Sequence, residues 1–214
     1  MPDLDNDELH SIIKHHASAI ELIDAAEAEI KRAADSLVNL ASQEANNETQ
    51  LDVDWIGQNT GKDSDDSGPA CLCMWLNYLG HDLTIDNIVK ATGLGRGYRT
   101  TTPYNLVAAA KVYNLALRRA AHLDLQHIYH EISQGRPVAV LLHYPSLKKH
   151  WGETSNDARW ILVTGYNDKF VFYNDPRAPD DHGKAVSIDH RAFEKAMEDS
   201  ALDGNTPRQG LITT

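Results

Sequence analysis

The chain contains 214 residues, of which 42% are hydrophobic and 24% are charged. This composition is typical of a soluble globular protein with one sizeable core and an additional segment. The formal net charge is −11 at pH 7, and no basic stripe with interleaved aromatic residues is present, so we expect no nucleic-acid binding. No apolar run approaches the length of a membrane-spanning helix, and the acidic N-terminus lacks the features of a signal peptide. We therefore expect a cytoplasmic protein without membrane association.

The N-terminal segment, residues 1–45, combines most of this charge with a repeating apolar pattern. Residues 1–50 contain eleven Asp or Glu and three Lys or Arg, a net charge of −8, so the remaining 164 residues carry only −3. One heptad position holds Leu9, His16, Ile23, Ile30 and Leu37, and the position three residues later holds Ile12, Ala19, Ala26, Ala33 and Leu40. This spacing predicts a long amphipathic helix with one apolar seam. The seam at residues 9–40 either binds a partner helix or a second copy of the chain, or folds back onto its own domain.

A linker is predicted at residues 46–53, because the stretch begins with five polar residues that follow neither helical nor strand periodicity. The sequence after this linker has the apolar runs and turn residues of a folded domain. We therefore predict a second domain at residues 54–214.

The central feature of that domain is the stretch of residues 65–80. An acidic, small-residue turn leads into Pro69, and the apolar run that follows stops at Gly80. This pattern predicts a capped, buried helix that begins near Ser67. A side chain at that position faces unpaired backbone N–H groups and the positive end of the helix dipole. Cys71 and Cys73 lie two residues apart on the helix, which disfavours a disulfide between them, so both are predicted to be reduced core residues.

Helical patterns dominate the first half of the domain and strand patterns the second half. Helices are predicted at residues 84–92, 102–113, 124–133 and 189–199, and strands at 115–119, 137–142, 160–165, 170–173 and 184–188. Residues 210–213 are predicted to add an edge strand. This order indicates an α+β fold, in which a helical lobe packs against an antiparallel sheet.

The sequence contains no complete metal site. Residues 63–68 resemble the opening of a calcium-binding loop, but Met74 stands where the loop requires a bidentate Glu. His127 and His130 share a helix face without a recognisable third ligand, which favours a solvated face. We expect neither a metal nor another cofactor.

Four landmarks in the domain share one chain order with a known family. These are Gln58, the turn Asp66-Ser67-Gly68-Pro69-Ala70, the strand Arg159-Trp160-Ile161-Leu162-Val163 and the turn Asn174-Asp175-Pro176. From about residue 51 to residue 188 the sequence resembles the papain-like peptidases that process double-glycine leaders of bacteriocins, and their C39-like relatives. The resemblance implies a papain-like two-lobe fold. It places Ser67 at the nucleophile position, Arg159 at the histidine position, Asp175 at the orienting-acid position and Gln58 at the oxyanion position.

Two of these four positions are chemically unsuited to a cysteine peptidase. A serine hydroxyl is too weakly acidic for a helix terminus to ionise, and an arginine side chain has no lone pair with which to accept a proton. We predict instead an ion pair between Arg159 and Asp175 at the junction of the lobes. The adjacent cleft is predicted to bind a peptide or protein partner. Its predicted binding residues are Gly68, Trp160, His143 and His150.

The primary functional interpretation is therefore a catalytically inactive papain-like domain that binds a peptide or protein partner and assembles through its N-terminal helix. One alternative is an active or mutationally disabled hydrolase of the same fold, in which His143 or His150 serves as the base for Ser67. Another is a scaffold that binds no ligand in the cleft. The resemblance also leaves open an inhibitory role for the N-terminal helix.

Overall fold

A computed structural model of the chain describes residues 26, 29–33, 48–58, 66–94, 101–147, 158–203 and 205–214. The chain divides into two compact units, residues 1–47 and residues 48–214. In the first unit, Ala26 and residues 29–33 are helical. The rest of the predicted N-terminal helix and its heptad seam lie outside the described residues, so the long helix remains a prediction.

Three helices form the first half of the second unit. They are α1 (Ser67–Tyr78), α2 (Ile85–Thr92) and α3 (Pro103–Val112). Reciprocal capping fixes the start of α2, because the Thr84 side chain accepts a hydrogen bond from the Asn87 N–H and the Asn87 side chain accepts one from the Thr84 N–H. Thr102 and Asn105 cap α3 in the same way. Gly93 ends α2 in the left-handed conformation, directly after the predicted helix at residues 84–92.

The remaining elements build one antiparallel sheet and two helices packed on it. The strands are β1 (Thr49–Gln50), β2 (Leu117–Ala120), β3 (Val138–His143), β4 (Ala158–Tyr166), β5 (Phe170–Asn174), β6 (Val186–Asp189) and β7 (Gly210–Thr213). The helices are α4 (Leu125–Ser133) and α5 (His190–Asp199). The strand order is β2-β7-β3-β4-β5-β6, and β1 pairs with β4. This architecture confirms the predicted α+β fold of helices against an antiparallel sheet.

Two local expectations differ from the structure. The edge-strand prediction for residues 210–213 is wrong, because β7 lies between β2 and β3 and pairs with both. Residues 49–50, predicted as linker, pair with β4, and Val53 is buried. A two-residue strand is too short to produce a period-2 pattern, which explains why the sequence did not reveal it.

The two faces of the sheet bury different hydrophobic clusters. Trp160 and Leu162 of β4 belong to the cluster that contains α1, whereas Ile161 and Val163 belong to the cluster on the opposite face. Side chains alternate between the two faces of a strand, which accounts for this division. In α1 every residue from Ser67 to Leu76 is buried, so its sequence reads as a continuous apolar run. Among the described residues no helix has the length and hydropathy needed to cross a bilayer.

A partly buried ion pair connects α4 to the sheet. The Glu131 carboxylate accepts hydrogen bonds from Arg136 Nε at 2.8 Å and from the Thr213 hydroxyl at 2.7 Å. Burial alone would raise the pKa of Glu131, but the hydrogen bonds from Arg136 and Thr213 outweigh burial and hold this pKa below its ordinary value. The carboxylate therefore joins the end of α4, the start of β3 and the end of β7.

We expect Glu131→Gln to lower the free energy of unfolding at pH 7 by about 1–3 kcal/mol, because it weakens charge-assisted hydrogen bonds to a buried group. A lowered carboxyl pKa contributes stability above the ordinary pKa of glutamate, and this contribution is lost as the pH falls through the folded-state value. The difference between variant and wild type should therefore shrink in acid. Urea unfolding at pH 7 and at pH 3 measures it. Glu194→Gln is the matched control, since Glu194 makes only a partly exposed 3.7 Å pair with Arg208.

Candidate functional site

The first turn of α1 is attached to the start of β4. The Trp160 backbone N–H donates a hydrogen bond to Ser67 Oγ at 3.3 Å, and both residues are buried. A Cβ atom on Gly68 would lie 3.0 Å from Cδ1 of the Trp160 ring, so the glycine permits this close approach. Trp160 Nε1 in turn donates to the carbonyl oxygen of Thr101 at 3.1 Å. The structure therefore places Ser67 beside the peptide that follows Arg159.

Asp175 directly follows the neighbouring strand, β5, at the same end of the sheet. Leu162 of β4 pairs with Asn174 of β5, so the chain after Asn174 runs beside the start of β4. The buried Asp175 carboxylate accepts hydrogen bonds from the Tyr144 hydroxyl at 3.0 Å and from the Arg177 N–H at 2.9 Å. Burial raises the pKa of Tyr144 far above its ordinary value, and the charge of Asp175 raises it further. Tyr144 is thus a neutral donor to Asp175. The ion pair between Arg159 and Asp175 remains a prediction.

Gln58 is held at the same turn by its backbone. Its N–H donates to the carbonyl oxygen of Pro176 at 2.8 Å, and Trp55 Nε1 donates to the carbonyl oxygen of Asp175 at 2.7 Å. Gln58 is only 7% exposed, and within the described part of the chain neither its amide nitrogen nor its amide oxygen has a hydrogen-bond partner. An amide in this state retains its full capacity to bind a ligand.

Together these contacts gather all four predicted landmarks at one end of β4 and β5. Ser67 contacts the start of β4, Arg159 lies in that strand, and Asp175 and Gln58 lie at the turn after β5. The sequence identified these positions through chain order, and the sheet brings them near one another. Their chemical roles remain predictions.

The His143 ring is connected through Ser146 to Asp199 at the end of α5. Its Nδ1 lies 2.8 Å from Ser146 Oγ, and the Ser146 hydroxyl donates to the Asp199 carboxylate at 2.6 Å. The His143 Nε2 atom is buried without a hydrogen-bond partner. The ring is therefore not hydrogen-bonded to Ser67 in this structure. His150, the other predicted histidine, lies outside the described residues.

The two cysteines are core residues, as predicted. Cys71 and Cys73 are both fully buried in α1, and Cys73 Sγ donates to the carbonyl oxygen of Leu83 at 3.1 Å. Burial raises the pKa of Cys73 to about 11. This thiol is therefore protonated at neutral pH and is a poor nucleophile. In the described part of the chain, no three His, Cys, Asp or Glu side chains are grouped closely enough to hold a metal ion.

Thr101 is a residue of this region that the sequence analysis did not single out. Its side chain is only 4% exposed, and its hydroxyl has no hydrogen-bond partner. Its Cβ lies 3.3 Å from the position that a Cβ on Gly68 would occupy, which places Thr101 beside the first turn of α1. In the sequence it precedes the capping residue Thr102 and resembles an ordinary loop residue, so no local pattern distinguished it.

The family of the chain follows from a comparison of its sequence with family models. Residues 50–201 match the model described as the Peptidase_C39 like family. The chain belongs to this family, which confirms the resemblance given by the four landmarks. A comparison with curated protein sequences finds no match.

Solved structures with the same fold include three described as peptidases. A C39-like peptidase from Bacillus anthracis, so described, has a TM-score of 0.56 and 14% identity, covering 79% of this chain and 99% of that one. A double-glycine motif protease from an AMS/PCAT transporter, solved in complex with the leader peptide, has a TM-score of 0.51 and 18% identity. The match covers 77% of this chain and 94% of that one. The peptidase domain of Streptococcus ComA, a bi-functional ABC transporter involved in a quorum-sensing pathway, has a TM-score of 0.50 and 17% identity. The match covers 74% of this chain and 95% of that one. At these identities the similarity establishes the fold alone.

We expect Tyr144→Phe to lower the free energy of unfolding by about 1.5–3 kcal/mol, because it removes a hydrogen bond to a buried charged group. Urea unfolding at pH 7 measures the loss. Tyr113→Phe is the matched control, since the Tyr113 hydroxyl makes a more exposed bond of 3.2 Å to the carbonyl oxygen of Asn87. Its expected effect is below about 1 kcal/mol. Equal losses in the two variants would show that Asp175 does not depend on Tyr144.

Proposed function

We propose that the second unit is a catalytically inactive C39-like domain that binds a peptide or protein partner. The observation that carries the proposal is the hydrogen bond from the Trp160 N–H to Ser67 Oγ. It brings a hydroxyl, instead of a thiol, to the strand position at which the family places its histidine. The side chain at that position, immediately before Trp160, is Arg159.

The chemistry of these two residues supports the loss of peptidase activity. A cysteine peptidase requires a thiolate and an imidazole that takes up and returns a proton. Ser67 ionises far too weakly to replace the thiolate, and the guanidinium group of Arg159 has no lone pair with which to accept a proton. The alternative of a serine hydrolase requires another base, and His143 directs Nδ1 to Ser146. No observation favours that alternative over the proposal.

Peptide binding is supported by the donors that remain at the site. The amide of Gln58 is buried without a partner beside the Asp175 turn, and it matches the hydrogen-bonding groups of a peptide backbone. One relative with this fold, the double-glycine motif protease, was solved in complex with a leader peptide. By analogy, we propose that the corresponding cleft of this chain binds a peptide segment.

The proposal also includes the cellular location of the protein and its assembly through the N-terminal segment. We place the protein in the cytoplasm and propose that residues 9–40 assemble with a partner helix or a second copy. The assembly rests on the heptad pattern of the sequence, and the location restates the expectation given in the sequence analysis. Light scattering of the chain with and without residues 1–45 tests the assembly by measuring the number of chains per particle. The same number of chains in both proteins would contradict it.

Two measurements test the proposal on the full chain. First, a fluorescent peptide-like acyl probe should leave the wild type unlabelled, and the wild type should not cleave a library of random peptides. Second, a library of random 12-residue peptides displayed on phage should yield sequences that bind the wild type. Fluorescence anisotropy with a synthetic copy of the best selected peptide then gives its Kd.

Two variants serve as controls for the probe. Ser67→Cys combined with Arg159→His restores both missing groups, and we expect it to react with the probe. Ser67→Cys alone retains Arg159 and should react at least tenfold more slowly, because general-base assistance contributes about 10²–10⁴ to such rates. Labelling of the wild type at Ser67 would contradict the inactivity. A library that yields no binder would contradict peptide recognition.

A further inference from the structure

The Thr101 hydroxyl has no hydrogen-bond partner although the rest of the residue is well anchored. The Thr101 carbonyl oxygen accepts a hydrogen bond from Trp160 Nε1, and the Thr101 Cβ lies 3.3 Å from the position that a Cβ on Gly68 would occupy. Only 4% of the residue is exposed. Among the described residues, the hydroxyl is thus buried without a partner next to the first turn of α1.

Two other buried hydroxyl groups of the second unit are satisfied, whereas the Tyr129 hydroxyl, in the cluster on the opposite face of the sheet, also has no partner among the described residues. The Thr92 hydroxyl donates to the carbonyl oxygen of Val89 at 2.6 Å, and the Ser200 hydroxyl donates to the carbonyl oxygen of Met197 at 2.8 Å. A buried polar group without a partner costs about 1–3 kcal/mol, so such groups are rare in folded proteins. Together, Gln58 and Thr101 contribute three such atoms. A ligand that supplies the missing partners would remove this cost.

The chemistry beside Thr101 favours a neutral acceptor as that ligand. N–H groups in the first turn of a helix have no partner within the helix, and they attract partial negative charge. Asp66 is buried immediately before α1, and its acidic side chain disfavours a second carboxylate there. A main-chain carbonyl oxygen carries only a partial charge. It is also small enough to approach a region where Gly68 lacks space for a side chain.

We propose that Thr101 is a peptide-contacting residue, whose hydroxyl donates a hydrogen bond to a main-chain carbonyl oxygen of the bound peptide. This inference rests on the proposed function and adds a residue to its binding site. It explains why the protein keeps an unsatisfied hydroxyl at a position where valine has almost the same shape. The hydroxyl destabilises the free protein and contributes to binding.

Thr101→Val therefore has opposite effects on stability and on affinity. The variant removes the unsatisfied hydroxyl and retains the volume of the side chain, so the Tm of the free protein should rise by about 2–4 °C. Its Kd for the best phage-selected 12-residue peptide should increase about threefold to tenfold, because one hydrogen bond is lost. Differential scanning fluorimetry and fluorescence anisotropy measure the two effects on the full chain.

Two control variants distinguish an effect of the Thr101 hydroxyl from an effect of side-chain packing. Thr92→Val removes a satisfied hydroxyl, so its Tm should fall and its Kd for the same peptide should stay within twofold of wild type. Thr101→Ser retains the hydroxyl and loses the methyl group, and its Kd should also stay within twofold. A serine variant that loses affinity as the valine variant does would assign the effect to packing and overturn the inference.

The remaining outcomes distinguish this inference from the proposed function. If the wild type binds library peptides and Thr101→Val binds them equally well, Thr101 is not a contact residue and the proposed function stands. If Thr101→Val lowers the Tm as Thr92→Val does, the hydroxyl is satisfied in the free protein and the inference is wrong. If the wild type binds no peptide from the library, the proposed function and this inference both fail.

Discussion

The attachment of α1 to β4 is the interaction on which the site depends. α1 is a helix with ten consecutive buried residues, so its position is fixed by packing on all sides. Its first turn meets the sheet through the Trp160 N–H and the indole ring, and the absence of a side chain at Gly68 permits that close approach. A Cβ at this position would press on the Trp160 ring at 3.0 Å, so that the ring would have to shift by a few tenths of an ångström. The contact between α1 and β4 therefore fixes Ser67 beside the strand that carries Arg159.

A second constraint fixes the turn after β5. The segment before α1 is bound to this turn by three hydrogen bonds: Val53 accepts one from Asn174, Trp55 donates one to Asp175, and Gln58 donates one to Pro176. The Asp175 carboxylate meanwhile accepts hydrogen bonds from Tyr144 and Arg177. A buried carboxylate with such donors has a structural function of its own. The presence of Asp175 therefore does not by itself indicate catalysis.

The sequence predicted most of the fold because its helix boundaries carry local chemistry. Thr84, Thr102 and Asp189 mark helix starts through hydrogen bonds that form within three residues, so a local pattern identifies them. The position of β7 between β2 and β3 depends on partners far apart in the chain, and no local pattern encodes it. The order of the four landmarks located the candidate site. Tyr144 and Thr101 were not identified because their importance lies in the tertiary contacts of single atoms.

Under the proposed function, the unsatisfied groups at the site have a physical explanation that the loss of catalysis alone does not provide. Loss of a nucleophile and a base removes the requirement for a reactive thiol and imidazole, but it imposes no requirement to retain a destabilising amide or hydroxyl. Apolar residues of similar shape at positions 58 and 101 would relieve the free protein of unpaired polar atoms. In the binding domain that we propose, a ligand would offset the cost of the unpaired atoms of Gln58 and Thr101, and this is the physical reason for proposing a binding site in place of an inert scaffold.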